Sequence, residues 1–175
     1  MIKLHPSIVV GLGDSGAEIA IRIAELVASY GRPELTAVTR TLTLTAGGLR
    51  MLGAGGVDAE GGLPLELDTA ARPGVWAANY DALLRSDRAV REQLERAVQE
   101  VRSFAQGVGI ERRSIQLGDD VTVYLVGSLC DPVGSAALVP VLATVHELFG
   151  QTFRGMHARV QMVLLAHDLL PDGPA

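Results

Sequence analysis

Ser7-Ile8-Val9-Val10-Gly11-Leu12-Gly13-Asp14-Ser15-Gly16 is the stretch on which the reading of this chain turns. A β-branched run flows into three glycines spaced Gly-x-Gly-x-x-Gly, and from Ala17 to Tyr30 the pattern becomes helical, with Ile19, Ile23, Leu26 and Val27 on one face. That predicts a strand, a tight turn and a helix. Glycines in such a turn let the backbone approach a ligand closely, and the unpaired N–H groups of the helix's first turn favour an anion, usually a phosphate. The same glycines also serve simply to make a short strand-to-helix connection. Lys3 is the only lysine, so none follows the turn to hold β and γ phosphates, which excludes a P-loop.

Outward from this unit, Gly31-Arg32-Pro33 stops the helix. Leu35 to Thr45 predicts a second strand, with Thr39, Thr41, Thr43 and Thr45 alternating against Arg40, Leu42 and Leu44. Gly47 to Gly62 is dense in glycine and reads as a surface loop or a backbone cradle for an anion. Leu63 to Ala78 carries Pro64 and Pro73 and reads as irregular, with Trp76 covering the core. Asn79 to Gly107 is the longest helical signal, open to division at Ser86; its charged side is a solvated face, and its length, more than a crossover needs, makes the segment a place for another protein to dock. Val121 to Leu129 predicts a strand buried on both faces, Cys130 to Ser135 a turn, Ala136 to Phe149 a helix, and Val160 to Ala166 a last buried strand. This order predicts an α/β fold: a three-layer, Rossmann-like, mostly parallel sheet with helices on both faces. Residues 1–170 are expected to form one domain and 171–175 a tail.

Composition narrows the function. Hydrophobic residues are 48% of the chain and aromatics only 4%, so the core is built of Leu, Val, Ile and Ala, which suits a layered α/β protein. A formal charge of -5 leaves no basic stripe for a nucleic acid. The N-terminus lacks an apolar leader and no run approaches the roughly 18 apolar residues of a spanning helix, so no membrane insertion is expected. One cysteine, Cys130, excludes an internal disulfide and fits a reducing, cytoplasmic setting. No metal site is expected: His146-Glu147 lacks a second histidine, and His167-Asp168 has no partner at ligand spacing. Ser128 and Ser135 lack a nucleophile elbow, and no catalytic residue is assigned.

The turns Gly11 to Gly16 and Cys130 to Ser135, with the Gly53 loop nearby, resemble the nucleotide site of the tubulin and FtsZ superfamily, especially the bacterial tubulin-like proteins. Gly11-Leu12-Gly13-Asp14-Ser15-Gly16 resembles the first phosphate loop of that family. Leu52-Gly53-Ala54-Gly55-Gly56 resembles its glycine-alanine-glycine loop, and Gly134-Ser135 aligns with the end of its Gly-Gly-Gly-Thr-Gly-Ser-Gly signature. The resemblance implies a domain like the family's N-terminal one, with GTP or GDP held by Gly11, Gly13, Asp14, Ser15, Gly16, Gly53, Ala54, Gly55, Gly56, Gly134 and Ser135. It covers about the first half of a full member, without the acidic loop that catalyses hydrolysis on a neighbouring subunit.

In the signature loop, Cys130, Asp131 and Pro132 replace the three leading glycines and Val133 the threonine. Proline has no N–H to give a phosphate, and a carboxylate beside one costs on the order of several kcal/mol. The expectation is a degenerate module that binds protein or self-associates, with weak or lost guanine-nucleotide binding and no GTPase activity. The alternative is an NAD(P)-binding Rossmann oxidoreductase fragment. The acidic residue that would hold a ribose at the end of the second strand is missing, and Arg40 is the candidate for a 2′-phosphate.

Overall fold

The computed structural model describes residues 2–53, 56, 62–70, 72–111, 115–118 and 120–166. Strands β1 (Ile2–Leu4), β2 (Ser7–Leu12), β3 (Thr39–Thr45), β4 (Gly48–Leu52), β5 (Ile115–Leu117), β6 (Val121–Ser128) and β7 (Ala158–Leu165) alternate with helices α1 (Gly13–Ser29), α2 (Pro33–Ala37), α3 (Val75–Arg85), α4 (Asp87–Glu111) and α5 (Pro132–Gln151). Five strands form one mixed sheet in the order β4-β3-β2-β6-β7. All neighbours in it are parallel except β3 and β4. Strands β1 and β5 pair separately, in parallel. The fold is therefore α/β with a Rossmann-like, mostly parallel sheet and helices packed against it.

Alternation along the two central strands sorts the core. Ile8, Val10 and Leu12 of β2, with Val123 and Leu125 of β6, join Leu83, Val90, Leu94, Val98, Val133 and Val141 from α3, α4 and α5. The intervening Val9 and Val126 meet Ala20 of α1, flanked by Ile19, Ile23 and Tyr124. Successive side chains of a strand point to opposite faces, so α1 lies against one face and α3 to α5 against the other.

Several sequence expectations are corrected. The fully buried row of α1 is Gly13, Gly16, Ala17, Ala20 and Ala24, with Ile19 and Ile23 half-buried beside it, while Leu26 is exposed; at Gly16 the helix comes too close to β6 for any side chain beneath it. Residues 33–37 form α2 before β3 begins at Thr39. The glycine-dense stretch holds β4, an antiparallel partner of β3 across a two-residue turn at Ala46 and Gly47. Trp76 belongs to α3 and does not cover the core: it is 47% exposed and stacks on Tyr80, 5.1 Å between ring centroids. The long helical signal does divide at Ser86, whose carbonyl accepts from the Ala89 and Val90 N–H groups.

Helix α5 starts at Pro132, four residues earlier than its apolar periodicity indicates. By length and mean hydropathy it also passes for a spanning segment, contrary to expectation, yet 56% of its most apolar window is buried inside the protein, as a core helix requires. The last strand is not buried. β7 forms one edge of the sheet, and Met162 and Val163, which point to opposite faces, are 52% and 50% exposed. The expected tail at 171–175 lies outside the described residues.

Candidate functional site

The strand order reverses between β2 and β6. From β2 the chain moves to β3 on one side, and from β6 it moves to β7 on the other. In open α/β sheets the crevice for ligands lies at the carboxyl ends of the strands where this happens. Here two helices begin there: α1 at Gly13, directly after β2, and α5 at Pro132, three residues after β6.

Each helix presents unpaired N–H groups at its start. The residue preceding α1, Leu12, supplies no side-chain cap. Asp131 serves both helices. Its Oδ1 accepts from the Val133 and Gly134 N–H groups at 2.8 and 2.9 Å, capping α5. Its Oδ2 accepts from the Asp14 N–H at 2.8 Å, across to the first turn of α1. The Asp131 carbonyl takes the Ser135 hydroxyl at 2.7 Å and the Ser135 N–H at 2.9 Å. One carboxylate therefore occupies the position where two positive helix ends converge, which is the position an anionic ligand would take.

This clamp accounts for the glycine spacing. Gly13 has φ +73°, and a Cβ there would run into the Asp131 carboxylate. A Cβ on Gly16 would strike the Val126 carbonyl and lie 3.1 Å from the Gly127 Cα, so Gly16 sets how closely α1 approaches β6. Gly11 likewise abuts the backbone of Gly16 and Ala17, and Gly134 the Leu12 carbonyl, 2.7 Å from an added Cβ.

The structure thus brings Gly11, Gly13, Asp14, Ser15, Gly16, Gly134 and Ser135 to one rim, with Asp14 and Ser15 exposed. It does not bring Gly53 and Gly56 there. Because β4 runs antiparallel, its end at Leu52 is level with Thr41, near the amino ends of the parallel strands. Gly56 rests beside Ile21 and Glu25 of α1. Ile21 lies eight residues beyond Gly13, roughly 12 Å along the helix axis. Ala54 and Gly55 lie outside the described residues, as do His167 and Asp168.

Arg40, the candidate for a 2′-phosphate, is the second residue of β3 and faces the wrong end of the sheet. Its Nε donates to Glu100 Oε2 at 3.0 Å and its Nη1 to the Thr36 and Thr39 carbonyls. Among the described residues, no cluster of three or more His, Cys, Asp or Glu suits a metal ion.

Sequence reasoning took Asp131 as a charge set against a phosphate and missed that it holds the cradle itself. The signal was present: Asp followed by Pro is an N-cap with proline at the first helical position. Asn79 was also missed. Only 2% exposed, it accepts from the Asp68 N–H at 2.8 Å and donates to the carbonyls of Asp68 at 2.8 Å and Pro132 at 3.3 Å, tying the 62–70 segment and α3 to the start of α5.

No family model, curated protein or solved structure matches the chain.

Proposed function

We propose that this chain is a Rossmann-like module of the tubulin and FtsZ type whose nucleotide grip has been exchanged for an internal carboxylate clamp, and that it works as a protein-binding or assembly module. On this reading GTP and GDP binding is weak or lost and GTPase activity is absent. The observation that supports it is the Asp131 carboxylate, which accepts the first-turn N–H groups of both α1 and α5. A phosphate entering this rim would have to displace those hydrogen bonds and meet a negative charge.

The paired turns at the strand-order reversal favour the tubulin-like reading. The direction of β4 counts against the part of it that uses Gly53 to Gly56. The NAD(P) alternative loses its phosphate partner, since Arg40 is engaged with Glu100 at the amino end of β3.

Isothermal titration of the protein with GTP, GDP, NAD and NADP tests this. The expected result is no saturable heat with any of the four. Micromolar affinity for a guanine nucleotide, or tight binding of NADP, overturns it.

A further inference from the structure

The two edges of the five-stranded sheet are treated differently. The outer edge of β4 is met by the chain itself at one point, where Leu49 and Leu63 exchange backbone hydrogen bonds at 2.9 and 2.7 Å. Among the described residues nothing pairs with the outer edge of β7. Exposed edges are ordinarily blunted by short length, proline, a bulge or inward charges. β7 is eight residues long, Ala-Arg-Val-Gln-Met-Val-Leu-Leu, pairs with β6 in unbroken register and carries one charge, Arg159, near its start.

The pairing with β6 fixes which groups face outward. The Val121 and Leu129 N–H groups donate to the carbonyls of His157 and Leu165, so odd-numbered residues of β7 turn their backbone groups toward β6. In a parallel ladder alternate residues turn the other way, so Val160, Met162 and Leu164 direct N–H and C=O to the open side. The same three side chains lie on the α5 face, level with Val123, Leu125 and Gly127 of β6.

We infer that this free edge pairs antiparallel with the edge of a second copy of the chain, about a twofold axis perpendicular to the sheet and centred on Met162, making a continuous ten-stranded sheet. The inference rests on the assembly reading proposed above and names its partner and surface. In this register Met162 stands opposite Met162 of the second copy, and Val160 opposite Leu164. The residues that exchange hydrogen bonds are then the ones that supply an apolar row.

Charge selects the arrangement. A parallel in-register partner would stack the two Arg159 side chains. The antiparallel one sets each Arg159 opposite Leu165, six residues from the other, roughly 20 Å along the ladder and beyond the screening length. The axis keeps the two α5 helices on one face, and residues 132–145 carry no Asp, Glu, Lys or Arg to repel across it. Val139 of that helix is exposed.

Light scattering of the intact chain across a concentration series tests this, with two variants. The wild type is expected at twice the mass of one chain and Met162→Lys at the mass of one, since like charges then meet on the axis. Circular dichroism checks that Met162→Lys keeps its fold. In a Cys130→Ser background, Met162→Cys is expected to oxidise to a covalent dimer, because directly opposed, hydrogen-bonded residues lie about 5.5 Å apart between Cα atoms. Gln161→Cys in the same background is expected to cross-link far less, being opposite Val163. A monomeric wild type assigns the edge to another occupant and overturns the inference, as does a dimer that survives Met162→Lys or gives no Met162→Cys cross-link. None of these outcomes bears on nucleotide binding, which the calorimetry decides separately.

Discussion

Asp131 joins two helices through one side chain, capping its own and reaching Asp14, 117 residues away in sequence. Loss of an Asp N-cap costs about 0.5–2 kcal/mol, and loss of the bond to α1 leaves the Asp14 N–H short of an acceptor. Asp131→Ala is therefore expected to lower unfolding stability in urea by about 2 kcal/mol. Asp131→Asn should fall between it and the wild type, because one acceptor oxygen is retained and the other becomes a donor facing a donor. Equal urea midpoints for Asp131→Ala and the wild type would mean the clamp holds nothing. Asp68 is the other residue whose chemistry shows in the structure. The Ala70 N–H, donated at 2.8 Å, and the Arg72 guanidinium beside it hold its carboxyl below its ordinary value of 3.8. A carboxyl depressed by folding stabilises the protein above its unfolded value and loses that contribution as pH falls through the lower folded one. The stability gap between the wild type and Asp68→Asn should thus be open at neutral pH, close in acid below 3.8, and narrow in high salt, since the pair is solvent-exposed. A gap independent of pH would remove the ion from the explanation.

At the scale of elements, what the sequence disclosed follows from which forces are local. The strand and helix around Gly11 to Gly16 were legible because spacing, propensity and the glycines agree. So was the break at Ser86. The β3–β4 hairpin was not read, although two residues, Ala46 and Gly47, between strand-forming segments are a hairpin signal. The density of glycine around them masked it, and Gly48, at φ +116° with the Leu65 nitrogen 2.8 Å from an added Cβ, is there for backbone proximity and not for looseness. That one reversal of direction carries the Gly53 segment away from the rim, so a local error became an error about the site. The early start of α5 was missed because its first turn is set by Asp131 and Pro132, capping residues, and not by apolar period. The face of α1 was read only in part: Ile19 and Ile23 do flank the core, whereas the row packed closest to the sheet is Gly16, Ala17, Ala20 and Ala24, small residues that apolar periodicity does not mark.

At the scale of the molecule, apolar content distinguishes a strand from a loop but not a central strand from an edge. β6 and β7 have similar compositions. Most of β6 is buried on both faces, while β7 is open at its outer side. The difference arises only when the sheet is assembled, and it gives a measurement of the assembly. In one chain alone, the N–H groups of Gln161, Val163 and Leu165 are protected by β6, and those of Val160, Met162 and Leu164 face the open side. Amide hydrogen exchange along β7 should therefore alternate residue by residue in dilute solution. Raising the protein concentration should slow the even-numbered amides toward their neighbours, while the amides of β2 and β6, already enclosed, hold their rates. Dimerisation through α3 or α4 instead would leave the alternation intact at every concentration. Uniform protection of β7 even at high dilution would mean that its edge is closed within one chain, as β4 is met by Leu63 at Leu49.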